Sequence, residues 1–317
     1  MQHPVEGTKA LNTPLVSAPS VTVVVATRDR PYLLRRAVTA ILGQQYPGEI
    51  HVVVVFDQSD PVEPGVECPP GRSLRVTVND RTPGLAGSRN TGIALARTDY
   101  VAFCDDDDEW LPGKLRAQVE LLAAEGGVAA GTGIEIRSRG TVSPRPGPER
   151  PVTHRDLLRD RVFTLNGSNL LIDRKVLTER VGPVDENLPG SYAEDYDLLL
   201  RIAKLGPIHC VRQPLVAINW QGSFFARRFP MIADALTHLL AKHPEFATDP
   251  IGIARIEGQI AFYRAAAGQY GEAWRWARRS IRHNWRERRT YLALLVASRL
   301  TSGQRVLALL NARGRGI

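Results

Sequence analysis

The apolar positions of the first hundred or so residues follow two alternating periods. Val21-Thr22-Val23-Val24-Val25-Ala26 is a β-branched run ending at Thr27-Arg28-Asp29-Arg30-Pro31, which predicts a strand and then a turn. Pro31 suits the first position of a helix, where its missing N–H would have no partner anyway. From Tyr32 to Leu42, the residues Leu33, Leu34, Ala37, Val38, Ile41 and Leu42 recur at helical spacing. A second unbroken apolar run, Ile50 to Phe56, stops at Asp57-Gln58-Ser59-Asp60. Two strands apolar on both faces and joined by a helix predict a parallel pair covered on both sides. Leu74 to Val78 predicts a third strand, Leu85 to Ala96 a helix, and Tyr100 to Cys104 another buried strand. The pattern is that of an open α/β domain with right-handed crossovers. Ligands of such sheets gather at the carboxyl ends of the strands, where Thr27 to Arg30, Asp57 and Asp105 to Asp108 all fall.

The second half is less regular. Arg137 to Pro151 is rich in Arg, Pro and Ser and predicts a loop. Asn166 to Ile172 predicts a strand, Asp173 to Val181 a short helix, and Glu194 to Lys204 a helix with Leu198, Leu199, Ile202 and Ala203 on its apolar face. From about Phe229 the pattern is helical throughout. Within it, Ala267-Gly268-Gln269-Tyr270-Gly271-Glu272-Ala273 has the small-residue spacing of a tetratricopeptide helix pair, although a solenoid needs several stacked units. The expected organisation is a disordered leader over 1–20, an α/β domain over 21–225 and a helical region over 226–317.

At 317 residues, 43% hydrophobic and 23% charged, the chain has material for one large or two ordinary soluble domains. No apolar stretch nears the roughly 20 residues that span a bilayer. Met1 to Ser20 has neither the basic start nor the apolar segment of a signal peptide. Cys68, Cys104 and Cys210 are odd in number and far apart. They indicate neither a disulfide framework nor a zinc site, and predict a reducing, cytoplasmic setting. The net charge of +8 is unevenly placed: Arg275, Arg278, Arg279, Arg282, Arg286, Arg288 and Arg289 face only Glu272 and Glu287. Such an excess suits nucleic acid, an anionic membrane or an acidic ligand, and composition does not choose among them.

The sharpest chemical signal is Asp105-Asp106-Asp107-Asp108 at the end of a buried strand. Adjacent carboxylates repel one another, and Asp is a poor strand former that is rarely buried unpaired. A hard cation such as Mg²⁺ or Mn²⁺ would relieve the repulsion, taking carboxylate oxygens and sharing its other positions with phosphate. A solvated acidic turn is the alternative. Arg81, Gly84, Gly87, Arg89 and Asn90 form a loop that opens a helix, a setting for phosphate or ribose, though it is neither a Walker A sequence nor a Rossmann fingerprint. Glu194-Asp195 sit where acids favour a helix dipole, and a positioned carboxylate is also what activates an acceptor hydroxyl.

Taken in order, Thr27-Arg28-Asp29-Arg30-Pro31, Gln45-Tyr46-Pro47, Arg89-Asn90-x-Gly92, Phe103-x-Asp105-x-Asp107-Asp108-x-Trp110 and Glu194-Asp195 resemble the family 2 glycosyltransferases of GT-A fold, over roughly Val21 to Ser223. The resemblance implies an inverting enzyme that moves a sugar from a nucleotide-sugar donor to a glycan, lipid-linked or small-molecule acceptor, with a divalent metal, Mn²⁺ or Mg²⁺. It implies that Asp107 holds the metal, with Asp105 shared between metal and ribose, and that Asp195 is the general base, oriented by Glu194. Thr27, Arg30 and Asp57 are expected to receive the nucleoside, with Arg81, Arg89 and Asn90 also on the donor. Asp106 and Asp108 are expected to be solvated or to cap the next helix. Trp110 is expected either to pack beneath the loop or to belong to the core, and His209 is expected to be a packed core residue and not a ligand. Gly167-Ser168-Asn169 and Asp185-Glu186 are expected to line the acceptor side. The family often carries a histidine where this chain reads Ile218-Asn219-Trp220-Gln221-Gly222-Ser223; Asn219, Gln221 or a water would take its place.

Two other functions compete. A sugar nucleotidyltransferase shares the α/β core and acidic metal site, but the chain lacks a Gly-rich nucleotidyl loop near its start. A degenerate scaffold binding partners through its C-terminal helices is the non-enzyme alternative, against which the acids at Asp105, Asp107 and Asp195 argue. Trp274, Trp276 and Trp285 among the arginines predict either peripheral contact with the inner face of a membrane or a helix pair with buried tryptophans and solvated arginines. No nucleic-acid motif accompanies the charge, and none is expected to bind.

Overall fold

A computed structural model describes residues 18–138, 140–220 and 228–312. Most of the expected leader, Gln221 to Ser223 and the 225/226 boundary lie outside the described residues. The strands β1 (Val21–Thr27), β2 (Ile50–Phe56) and β3 (Arg72–Val78) pair in parallel. Helix α1 (Pro31–Leu42) joins β1 to β2, and α2 (Leu85–Leu95) joins β3 to β4 (Tyr100–Phe103), which pairs in parallel with β1. The period-two pattern explains the layers. Val21, Val23 and Val25 pack with Leu34, Val38 and Ile41 of α1 on one face. Val24, Val53 and Val55 pack with Ala86 and Ile93 of α2 on the other. The α2 helix lies so close to β1 that a Cβ at Gly92 would stand 2.3 Å from Val24 Cγ1.

Beyond β4 the sheet changes direction. A short β5 (Glu109–Trp110) and α3 (Lys114–Glu125) lead to a hairpin of β6 (Ala129–Ser138) and β7 (Thr141–Arg145). The segment expected to be a loop over Arg137 to Pro151 therefore begins as a β-hairpin. Its outer strand is exposed, and Pro144 is tolerated there because the outward-facing positions of an edge strand have no neighbouring strand to donate to. Next come α4 (His154–Arg159), β8 (Leu171–Asp173) and α5 (Arg174–Val176). Of the strand expected over Asn166 to Ile172, Gly167–Asn169 is a 3₁₀ turn and only the end pairs. The helix expected over Asp173 to Val181 closes in a π turn, Leu177–Val181. Then follow α6 (Glu194–Ala203) and β9 (His209–Asn219). Among the described residues the sheet has nine strands in the order β3-β2-β1-β4-β8-β6-β9-β5, with β7 on β6.

The remaining helices are α7 (Phe229–Lys242), α8 (Pro250–Ala266), α9 (Tyr270–His283), α10 (Arg288–Ala297) and α11 (Gly303–Ala312). Twelve of the 17 residues of α8 are buried, so this helix is the axle around which the C-terminal helices pack. Its buried Glu257 is held by Arg279 and His283 of α9. Leu198 and Leu199 of α6, Ile232 and Leu236 of α7, and Ile256 and Ile260 of α8 belong to one continuous core. The C-terminal helices thus form the back wall of the segment that carries Glu194 and Asp195.

Candidate active site

The strand order reverses between β1 and β4, the topological switch point at which α/β sheets bind ligands. The aspartate loop leaves β4 there and is fastened to β1. Thr27 Oγ1 donates to Asp106 Oδ2 at 2.7 Å. Arg30 Nη1 donates to Asp106 Oδ1 at 3.0 Å and to Asp107 Oδ2 at 3.1 Å. Asp108 Oδ2 accepts from Ser168 Oγ at 2.5 Å, and the same hydroxyl receives Asp105 N–H at 3.0 Å. Asp106 and Asp108 are therefore buried anchors, correcting the expectation of solvated bystanders: strand-end burial forces each to find a donor. Burial raises the pKa of both.

The side chains of Asp105 and Asp107 are 39% and 41% exposed. Asp107 is pushed up to about 6, first by burial and then by repulsion from Asp105 and Asp106. No group of three or more His, Cys, Asp or Glu converges as a self-sufficient metal cage among the described residues. Two accessible carboxylates nevertheless fit an ion that takes one or two protein oxygens and fills its shell with phosphate and water. Asn219 donates its amide to the Asp107 carbonyl at 2.6 Å. Its N–H₂ thus positions the loop, where its amide oxygen had been expected to replace a histidine. Trp110 is buried, with its indole N–H on Ser168 O at 2.8 Å. Beneath it lies Lys114, fully buried, its ammonium 3.8 Å from the Trp110 ring centroid.

At the end of β2, Asp57 Oδ1 accepts from Asn79 Nδ2 and Gly84 N, both at 2.9 Å, and Oδ2 from Gln58 Nε2 at 2.9 Å. Burial would raise its pKa, but these donors outweigh it and the net shift is downward. Gly84 has φ +125°, a conformation open to glycine that turns its N–H onto Asp57. Arg81 is 44% exposed and 3.7 Å from Glu186. Asn90 is buried and bonds Val184 O and Glu186 Oε1. The Gln45-Tyr46-Pro47 motif is a corner of the scaffold: Arg72 donates to the carbonyls of Tyr46 and Gly48 at 2.6 and 2.7 Å.

The buried guanidinium of Arg89 joins the two acidic motifs. Nη2 donates to Asp105 Oδ1 at 2.9 Å, and Nη1 to Glu194 Oε1 at 2.5 Å. Burial raises the Glu194 pKa, opposed by Arg89 and reinforced by Asp195. Asp195 receives Arg161 Nη2 on both oxygens, at 2.9 and 2.7 Å. Arg161, which no motif singled out, has its pKa raised first by Asp195. Of the five non-glycine residues with positive φ among the described residues, Ser191 and Ala193 precede Glu194-Asp195, Gln58 follows Asp57, and Asp29 lies between Thr27 and Arg30. Such strain concentrates where the backbone must present functional groups.

Behind Asp195, the fully buried Asp197 accepts from His243 at 2.9 Å and pairs with Lys242 at 2.8 Å and Arg201 at 2.8 Å. Lys242 also reaches Asp185 at 2.7 Å. Two expectations change here. Gly167-Ser168-Asn169 is buried behind the aspartate loop, with Asn169 donating to Thr132 O at 2.8 Å, and is no acceptor wall. Asp185 is committed to α7. His209 is only half-buried at the start of β9.

Residues 22–180 match the family model described as glycosyl transferase family 2. The succinoglycan biosynthesis protein ExoO of Rhizobium meliloti (strain 1021) is 34% identical over 130 residues, covering 40% of this chain and 37% of that protein. The Escherichia coli UDP-Glc:alpha-D-GlcNAc-diphosphoundecaprenol beta-1,3-glucosyltransferase WfgD is 23% identical over 193 residues, covering 60% of this chain and 73% of that protein. Among solved structures, S. aureus TarS 1-349 in complex with UDP-GlcNAc has a TM-score of 0.62 at 16% identity, covering 93% of this chain and 92% of that one. The mannosyltransferase PcManGT from Pyrobaculum calidifontis, in complex with GDP-Man and Mn²⁺, has a TM-score of 0.54 at 21% identity, covering 91% and 90%. At these identities the structural likeness shows the shared fold.

Proposed function

The chain belongs to glycosyl transferase family 2 and is a glycosyltransferase of GT-A fold, and we propose that it transfers a sugar, with inversion, from a nucleoside diphosphate donor to an acceptor hydroxyl in glycan or glycoconjugate assembly. The observation that carries this reading is Arg89, whose one guanidinium holds both the aspartate loop and the acidic start of α6. Donor end and acceptor end are thereby fixed within one side chain's span.

Asp57, ionised and held by three donors, offers its remaining lone pairs to an N–H of the base. Arg81 is assigned to the ribose or phosphates. Thr27, Arg30, Arg89 and Asn90 serve the donor by fixing Asp106, Asp105 and the 184–186 segment. Asp107 and Asp105 would hold Mn²⁺ or Mg²⁺, which as a Lewis acid supplies neutralising charge for the departing diphosphate. Asp195 takes the proton of the acceptor hydroxyl as it attacks the anomeric carbon opposite the leaving group. Direct attack by the acceptor hydroxyl, with Asp195 as base, is a single displacement and inverts the anomeric centre. Glu194 keeps the start of α6 on Arg89.

A lipid-linked acceptor is favoured by the outer face of the helical region. The expectation that its tryptophans are buried fails for Trp274 and Trp285, which are 41% and 63% exposed. Tyr291 and Leu300 are exposed near them in sequence, and Arg275, Arg278, Arg282 and Arg286 supply the charge. Exposed aromatics among cations suit an anionic membrane surface. No helix among the described residues is long and apolar enough to cross a membrane. Co-sedimentation with anionic vesicles, lost on Trp285→Ala with Arg286→Ala, tests the contact; equal binding by the variant removes it.

A thermal-shift screen of UDP, GDP and dTDP with and without Mn²⁺ identifies the donor class, since a ligand that binds only the folded state raises Tm. The anomeric proton of the product, followed by NMR, then reads the stereochemistry. Retained configuration, or turnover indifferent to chelator, refutes the proposed mechanism.

A further inference from the structure

The helix that carries the proposed base is mounted at two points, and the second comes from the C-terminal helical region. Glu194, the first residue of α6, is held by Arg89. Asp197 follows one turn later on the same face of the helix, and Asp195 lies between the two. Lys242, the last residue of α7, sets its ammonium 2.8 Å from Asp197 Oδ1 and 2.7 Å from Asp185 Oδ2. Both carboxylates are ionised. Burial raises each pKa, but Lys242 and His238 at Asp185, and His243, Arg201 and Lys242 at Asp197, outweigh it. Asp185 belongs to the segment that grips the 81–90 stretch. The Asn90 amide donates to Val184 O and accepts from Val184 N–H, both at 2.8 Å. Glu186 accepts from Asn90 Nδ2 at 2.6 Å and from Thr82 N–H at 3.2 Å. One ammonium thus joins the donor side, through residues 184–186, to the helix of the base. Neither carboxylate depends on it for a partner. Asp197 keeps Arg201 at 2.8 Å and His243 at 2.9 Å, and Asp185 keeps His238 at 3.0 Å and the Asn187 N–H at 2.9 Å. Lys204 and Glu245, near His243, pair with each other. What Lys242 adds is the link itself.

We propose that Lys242 is a positioning residue for sugar transfer, fixing the base-bearing start of α6 against the donor side, so that the C-terminal helical region is a working part of the active site. Held by Arg89 alone, α6 would pivot about Glu194. A tie on each side of Asp195 sets the direction from which its carboxylate meets the acceptor hydroxyl, and that direction governs the rate. The donor side keeps its own bonds through Asn90 and Glu186, so losing the link moves the base and spares the nucleotide. The inference rests on Asp195 as the base, and its failure is separable from the failure of that assignment.

Three variants of the full chain test it. Lys242→Met keeps the stem and removes the link, Lys242→Arg keeps the cation, and His238→Gln removes a partner of Asp185 alone. Calorimetry with UDP, GDP or dTDP in Mn²⁺, whichever binds the wild-type chain, reads the donor site. Release of that diphosphate from the matching UDP-, GDP- or dTDP-glucose, with water as acceptor, gives kcat and the donor KM. Lys242→Met is expected to lower kcat about 10- to 100-fold, the scale of a reacting group displaced by about 1 Å, with diphosphate affinity and donor KM unchanged. Lys242→Arg should recover most of the loss, and His238→Gln should turn over close to wild type. A Lys242→Met variant with wild-type kcat overturns the proposal. So does one whose diphosphate affinity falls as far as its kcat, since that is a general loosening, or a His238→Gln variant that is equally slow. Asp195→Asn is measured alongside. Wild-type release by Asp195→Asn would sink the base assignment itself, whereas its inactivity beside a fully active Lys242→Met would sink this inference alone.

Discussion

Lys114 lies beneath Trp110 and, among the described residues, forms no ion pair with a carboxylate. Its ammonium donates to Gln118 Oε1 at 2.8 Å and faces the Trp110 ring, and the side chain is fully buried. Burial lowers its pKa from 10.5 to about 7, with Cys104 acting in the opposite direction. At about 1.4 kcal/mol per pKa unit, that fall costs the folded state about 5 kcal/mol where the amine is charged in both states. The unfolded chain keeps the proton up to pH 10.5, whereas the folded chain releases it above about 7. Between those values the unfolded state binds more protons, so stability rises with pH, by roughly 2 kcal/mol from pH 7 to 9. Lys114→Met keeps the stem under Trp110 and removes the charge. After subtracting about 1–2 kcal/mol for the lost hydrogen bond and cation–π contact, the variant should be about 2–3 kcal/mol more stable at pH 7. Urea unfolding of both proteins at pH 7, 8 and 9 measures the two slopes. If the variant keeps the wild-type slope, or is less stable at every pH, Lys114 is not the strained cation described.

Asp197 carries a linkage of opposite sense. Burial would raise its carboxyl, but His243, Arg201 and Lys242 outweigh this and hold it well below the usual carboxylate range. Its stabilisation is present above the unfolded pKa and is lost as pH falls. Asp197→Asn should cost about 3–5 kcal/mol at neutral pH, with the gap from wild type narrowing below about pH 4 in acid unfolding curves. Gly92→Ala drives a Cβ into Val24 and should lose about 1–3 kcal/mol. Gly271→Ala, whose Cβ meets nothing within 4 Å, should leave Tm unchanged or raise it in the same melting experiment.

The half of the fold that was legible in the sequence is the half with clean periods. Val21 to Thr27, Ile50 to Phe56 and α1 announce themselves because each strand is buried on both faces and α1 on one. The strand β6 was hidden because Ala129, Ala130, Gly131 and Gly133 carry no β-branched signal, and its pairing with β9 is irregular. The acids at strand ends were legible for the same reason as the strands: charge directly after an apolar run has to be functional or anchored. Which of the four aspartates anchors was not legible, since that depends on Thr27, Arg30 and Ser168 arriving from three other segments. Arg161 had no local signal at all. Lying between Asp160 and Val162, it resembles any solvated arginine until the fold sets it on Asp195. Arg89 was visible as part of a motif, but its burial between Asp105 and Glu194 makes it a link where a donor contact was expected.

The central claim is that the aspartate loop serves the donor and that Asp195 serves the acceptor alone. Calorimetric titration of the preferred nucleoside diphosphate in Mn²⁺, on the wild-type chain, Asp107→Ala and Asp195→Asn, tests it most directly. The account predicts that Asp107→Ala loses metal-dependent binding, while Asp195→Asn binds as the wild type does and yet transfers no sugar. Undiminished binding by Asp107→Ala, or normal transfer by Asp195→Asn, would contradict it.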